Sequence, residues 1–148
     1  MAKNYRNSNR QRLTKQYGHL YTRKFRWLDS CVYCGESATC LDHVFPIAMC
    51  GIYAVSKQLL QKFKRAFCLV PSCEECNRLA SNTLHYTILD KRLFIQDKLR
   101  KKYKKHNNSA DWGEDEINEL GRNLQQHVRK MLSTKTKLVR RLNWPLSR

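Results

Sequence analysis

The chain has 148 residues and carries 29 Lys and Arg against 12 Asp and Glu, a formal net charge of +17. That is room for one compact domain with extensions. No stretch approaches the roughly eighteen uninterrupted apolar residues of a membrane span, and the first thirty residues hold no apolar run of signal-peptide length. Composition therefore argues against a membrane protein and against secretion, and for an intracellular, reducing setting.

The charge is clustered. Residues 1–26 carry eight Lys or Arg and no acid, residues 91–105 carry eight against Asp97, and everything after Glu119 is free of carboxylates. Each phosphate neutralised by such a cluster releases counterions, so nucleic acid is the expected partner. Charge alone leaves DNA and RNA both open.

In chain order, residues 1–26 read as a basic N-terminal arm, too polar at its start to pack alone and so expected to be flexible there. Tyr17, Tyr21, Phe25 and Trp27 enrich its end in aromatics that can dock on the body or stack against bases. Residues 39–45, ended by Pro46, and residues 66–70 are apolar segments of strand length that can pair. Between them Val55, Leu59, Leu60, Phe63 and Phe67 recur at helical intervals and predict a helix over 54–67. Ser72-Cys73-Glu74-Glu75 fits a capping box, with Ser72 accepting from first-turn amides and Glu75 reaching back, so a helix is expected from Cys73. Asn77 then lies about 100° around the axis from Cys76.

Leu84, Ile88, Leu89, Phe94, Ile95, Leu99 and Tyr103 predict a long helix to about Lys105. Ile117, Leu120, Leu124, Val128 and Met131 predict another, with Asp111, Glu114, Asp115 and Glu116 near its positive end and Arg129 and Lys130 near its negative end. A shorter basic helix is expected over 133–143, before Pro145. The 117–131 stripe suits packing on its own domain and leaves a homodimer open. The implied organisation is an arm (1–26), a core (27–82) and a helical basic extension (83–148).

Cys31, Cys34, Cys73 and Cys76 form a C-x2-C-x38-C-x2-C pattern, two metal knuckles suited to a structural zinc. Cys40, Cys50 and Cys68 are left over and are expected to pack as small apolar side chains. Asp42, His43 and Asn77 are the residue types that a hard divalent ion and a proton acceptor require. Neighbours in a strand point to opposite faces, so Asp42 and His43 can share a site only at a strand end, which Pro46 supplies.

Taken together, CVYCG, LDHVFPIA and CEECN, within residues 31–82, resemble the HNH (ββα-metal, His-Me finger) endonuclease family in its four-cysteine, zinc-bound form. The resemblance implies an α+β fold, a small zinc-stapled ββα-metal core with mainly helical basic extensions. It further implies that His43 is the general base, that Asp42 ligates a catalytic divalent ion such as Mg²⁺, and that Asn77 completes that metal site. The implied reaction is hydrolysis of DNA to 5′-phosphate and 3′-hydroxyl ends, in the cytoplasm of a bacterial or phage-infected host, with a phage or mobile element as the expected setting. Arg78, whose fork matches phosphate oxygens, and His85 are candidate phosphate-binding residues.

Two features depart from the family pattern: Cys68 stands where the family has a central Asn, and a helix replaces the usual Gly-rich loop after the Asp-His strand. The rival readings are a dimeric junction-resolving nuclease resembling the phage endonuclease VII and a zinc-ribbon DNA-binding module without the chemistry.

Overall fold

The computed structural model describes residues 2–53 and 55–145, with side chains from residue 8 onward. The fold is α+β. Its centre is a three-stranded sheet in which β3 (Cys68–Ser72) lies between β1 (Thr22–Arg23), parallel to it, and β2 (Cys40–His43), antiparallel to it. Leu69 of β3 stands between Arg23 and His43, so those three residues share one row of the sheet. β3 runs directly into α4 (Glu74–Ala80), which completes a β-β-α unit.

Two of these strands lie within two residues of the segments expected from apolar patterning. β1 was not expected, because it comes from the arm. The arm is also helical where flexibility was expected: α1 covers Ala2–Tyr17. Its sequence is a mediocre helix former, so tertiary contact decides the outcome. Leu13 is buried and lies 3.0 Å from where a Cβ on Gly51 would stand, so α1 packs against the next helix through a position kept small.

That next helix, α2 (Ile47–Ile52), starts immediately after Pro46, whose φ of −63° suits the entry to a helix. A second short helix, α3 (Lys57–Lys62), follows, capped by the Ser56 hydroxyl, which accepts from the Leu59 amide at 3.2 Å. The single helix expected over 54–67 is therefore a shorter one. Phe63 and Phe67 lie beyond its end and stack in an aromatic group with Phe45: Phe45 is parallel to Phe67 at 4.7 Å and edge-on to Phe63 at 5.1 Å. This group fixes the chain that follows β2.

The cap of α4 also differs from expectation. Cys73 is the N-cap, its sulfur accepting from the Cys76 amide at 3.4 Å, while Ser72 donates to the Cys73 carbonyl at 3.1 Å. Glu75 turns instead to the C-terminal helices, where Lys102, Tyr103 and Arg141 surround it. Cationic and phenolic partners win the carboxylate from a backbone amide because the charge-assisted bonds are stronger.

The C-terminal region contains α5 (Ile88–Lys102), α6 (Lys104–Asn107), α7 (Glu114–Asn118) and α8 (Arg122–Leu142). α5 begins four residues later than Leu84 because Thr87 caps it, accepting from the Asp90 amide at 3.0 Å. The helix expected around Ile117–Met131 is divided at Gly121, whose extended backbone opens α8. α8 then continues through Ser133 to Leu142 and absorbs the shorter helix expected there. No helix among the described residues is long and apolar enough to cross a membrane.

One core joins these parts, since Leu13, Val70, Ile95, Leu99 and Leu138 belong to the same buried cluster as the cysteines. Within it lies a charge. Lys91 of α5 is completely buried and pairs with Asp42 of β2 at 2.8 Å, while also donating to the backbone carbonyls of His43 at 2.8 Å and Val44 at 3.3 Å. Removing one member of a buried pair strands the other, at a cost of about 3–5 kcal/mol. Lys91→Met should lower unfolding stability by about that amount in urea titration, far more than Lys101→Met, whose ion pair with Asp97 is exposed.

Candidate metal centre and adjoining cleft

The first knuckle is a tight turn: the amides of Cys34 and Gly35 donate to the Cys31 carbonyl at 3.3 and 2.9 Å. Gly35 has a φ of +73°, and a Cβ there would come within 2.3 Å of the Trp144 ring, so two constraints demand glycine. The second knuckle is the cap and first turn of α4. The two knuckles face one another across the β2–β3 end of the sheet, and one ligand atom from each of Cys31, Cys34, Cys73 and Cys76 lies within 4.8 Å of all the others.

The sulfurs of Cys34 and Cys73 are 3.8 Å apart. Zinc–sulfur bonds of about 2.3 Å in a tetrahedron give an edge of about 3.8 Å. Hydrogen bonds from Cys34, Cys73 and Cys76 hold the Cys31 thiol well below its ordinary pKa, whereas bonding to Cys31 drives Cys34 and Cys76 upward. Four buried thiols thus cannot all ionise together without a cation, and a divalent ion such as zinc removes that conflict. The donor set fits the metal.

The C-terminal helix closes over this centre. Arg141 pairs with Glu75 at 2.7 Å and points its other terminal nitrogen at the Cys76 sulfur, 3.9 Å away. Arg140 pairs with Glu36 of the first knuckle at 2.6 Å, and Gln96 donates to the Leu142 carbonyl at 2.8 Å.

Beyond the sheet end opens a cleft of about 290 Å³ that Asp42, His43 and Asn77 line together. His43 is the last residue of β2, so the chain leaves the strand there and the alternation that would separate it from Asp42 no longer holds. Its ring is edge-on to Tyr21 at 4.7 Å, and the Tyr21 hydroxyl is fixed by the Phe45 carbonyl at 2.8 Å. Burial, with Arg10 and Lys91 nearby, lowers the His43 pKa to about 4. The imidazole is neutral at neutral pH.

Asp42 is buried, and both of its protein partners act on one oxygen: Tyr33 donates to Oδ2 at 2.6 Å and Lys91 meets it at 2.8 Å. Oδ1 has no hydrogen-bond partner among the described residues. Asn77 is oriented by Cys40. Its amide nitrogen donates to the Cys40 sulfur at 3.3 Å, and that thiol in turn donates to the Ser72 carbonyl at 3.2 Å. With Nδ2 so engaged, the amide oxygen of Asn77 is left for another partner.

Sequence reasoning missed four participants. Arg10 and Asn9 of α1 line the cleft, which brings the basic arm to the Asp-His pair. Lys91 and Cys40 hold Asp42 and Asn77 from behind. At the far rim, Ser81 has a φ of +49°, a strained conformation for a residue with a side chain, and lines the cleft beside Asn82. Arg78 is exposed and does not line the cleft, and His85 is buried against Phe94 at a ring distance of 5.0 Å. Neither stands with Asp42, His43 and Asn77, because residue 78 faces outward from α4 and residue 85 follows its end.

Comparison with protein-family models, with curated proteins and with solved structures finds no significant match to this chain. That the four cysteines could hold a metal therefore rests on the chain's own geometry. Metal analysis of the purified protein should find one zinc per chain, and replacement by Co²⁺ should give the visible spectrum of a tetrathiolate. Chelation should loosen α8, read as faster proteolysis after Arg140 or Arg141, while metal-free protein of unchanged protease resistance would contradict the site.

Proposed function

We propose that the chain is a metal-dependent DNA endonuclease of the HNH, or ββα-metal, type that leaves 5′-phosphate and 3′-hydroxyl ends. The observation that supports this reading is the meeting of a neutral imidazole, a carboxylate with one uncommitted oxygen and a side-chain amide in one cleft at the end of a β-β-α unit. A pure binding module has no use for that combination.

In the proposed reaction a water oxygen attacks the phosphorus, its proton passes to His43, and the bond to the 3′ oxygen breaks, that oxygen taking a proton from solvent. Asp42 Oδ1 and the Asn77 amide oxygen would hold Mg²⁺, which supplies charge neutralisation on the phosphate and the departing oxygen. Arg10, which lines the same cleft, would bind a nonbridging phosphate oxygen. Lys91 takes over the task of the central Asn that Cys68 replaces: its bonds to the carbonyls of His43 and Val44 pin the backbone just after the base.

A supercoiled-plasmid nicking assay with Mg²⁺ tests the proposal. The parent protein should nick, His43→Ala should lose about 10²- to 10⁴-fold in rate, the usual worth of a general base, and Arg10→Ala should lose activity with His43 intact. Absence of nicking by the parent, or equal nicking by parent and His43→Ala, overturns the catalytic assignment and leaves a zinc-dependent DNA-binding scaffold.

The Cys40 relay yields a separate measurement. Titration of zinc-loaded protein with Mn²⁺, followed by electron paramagnetic resonance, should show weaker binding for Cys40→Ala and near-parent binding for Cys40→Ser, whose hydroxyl can still accept from Asn77 and donate to Ser72. Equal affinity in both variants removes Cys40 from the site.

A further inference from the structure

The end of β1 carries an exposed aromatic among cations that have no ion-pair partner among the described residues. Trp27 is 75% exposed, the most exposed of the large apolar side chains among the described residues. It follows Arg23, Lys24 and Arg26 in a turn closed by the Leu28 amide, which donates to the Phe25 carbonyl at 3.1 Å. Phe25 sits at a φ of +54°, a conformation that costs free energy for an aromatic residue, and meets the Trp27 ring edge-on at 6.0 Å. A strained turn that holds a tryptophan out in solvent runs against burial, which would recover much of the hydrophobic free energy of so large a ring.

Next to this turn is a shallow groove of about 290 Å³ lined by Arg23, Arg26, Asp29, Cys40 and Leu41. Among the described residues neither guanidinium has a hydrogen bond or ion pair, and Asp29 is the one acid in the lining. The groove therefore keeps a positive excess.

The groove and the cleft follow one another along β2: Cys40 and Leu41 line the first, Asp42 and His43 the second. At the rise of a strand, Leu41 and His43 are about 7 Å apart. A nucleic-acid strand seated at His43 would continue past Arg23 and Arg26 of the groove, and Trp27 follows Arg26 directly in the chain.

We propose that Arg23 and Arg26 hold the phosphate neighbouring the one in the cleft and that Trp27 stacks on an unpaired base attached to it, so that the protein grips DNA with a flipped, bulged or single-stranded nucleotide beside the cut. Indole stacking on a base is available only where the base has left its pair or its stack, and cations at the ring's flanks supply the sequence-independent part of the grip. The placement relative to the cut rests on the nuclease reading. The binding itself does not.

The experiment uses full-length zinc-loaded His43→Ala protein without added Mg²⁺, so that binding is read free of cleavage. Fluorescence anisotropy compares a fully paired duplex with the same duplex carrying a bulge of two unpaired nucleotides. Adding Trp27→Ala should weaken binding to the bulged DNA by about ten- to a hundredfold, the range for one stacked base, and to the paired duplex by less than about threefold. Trp27→Phe should retain much of the bulge preference, while Arg23→Ala with Arg26→Ala should weaken both complexes and flatten their salt dependence.

Trp27 is exposed enough that its removal spares the fold, which circular dichroism checks. Equal loss on both DNAs, or no loss on the bulged one, overturns the stacking role. Loss on the bulged DNA with no nicking by the parent protein would sink the nuclease reading and keep this one.

Discussion

A wholly buried ammonium organises this molecule. Lys91 cannot be hydrated where it stands, and burial pulls its pKa below the ordinary value while Asp42 opposes that shift. The charge persists only if the surroundings replace water, and they do so with one carboxylate oxygen and two backbone carbonyls. These three acceptors come from consecutive residues, 42, 43 and 44. One side chain on α5 therefore sets the angle at which the chain leaves β2, the oxygen that Asp42 keeps free, and the distance between the C-terminal helices and the sheet. A hydrophobic pair in place of both Lys91 and Asp42 could fill the same volume and leave the fold at least as stable. It could not fix the backbone of a residue whose side chain must face a cleft.

The four-cysteine cluster imposes a second, complementary constraint from the other end of the sheet. It joins the loop before β2 to the start of α4, elements whose own apolar surface is small. The C-terminal helix depends on it in turn, through Arg141 at Glu75 and Cys76, Arg140 at Glu36 and Trp144 over Gly35. Glu75 binds these together: burial would raise its carboxyl, but Lys102, Tyr103 and Arg141 hold it below the usual carboxylate value. The residue that looked like a helix cap is thus the hinge point between the cysteine cluster and three C-terminal side chains.

What the sequence made legible follows the range of the interactions. The CxxC pairs announce themselves because a knuckle is closed by residues three apart, and the strands on either side of the Asp-His pair are visible because their apolar runs are short and bounded. Lys91 sits in a basic cluster and reads as solvated, yet it falls between Ile88 and Ile95 on the stripe that α5 buries, which is the one signal that could have singled it out. Arg10 carries a similar trace, three residues before the buried Leu13 in α1. Cys40 has none: its partner Asn77 is 37 residues away, and only the register of β2 against β3 brings them together. The capping box failed for a comparable reason, since a local pattern competes with distant cations that a sequence window does not contain.

The positive charge of the chain serves the proposed chemistry in two ways that could have conflicted. A field of this sign draws a polyanion toward the sheet face and holds it there. The same field disfavours a second positive charge on an imidazole, and burial with Arg10 and Lys91 close by keeps His43 in its neutral, proton-accepting form. Had the cations lain across the cleft from carboxylates, as the exposed pairs on α5 and α8 do, the imidazole would be easier to protonate and the phosphate harder to attract. Asp42 is the carboxylate that cannot be avoided, and Lys91 answers it from the side away from the cleft. In the proposed reaction the substrate would then meet a neutral base beside Arg10, an arrangement that requires the lysine to be buried rather than presented.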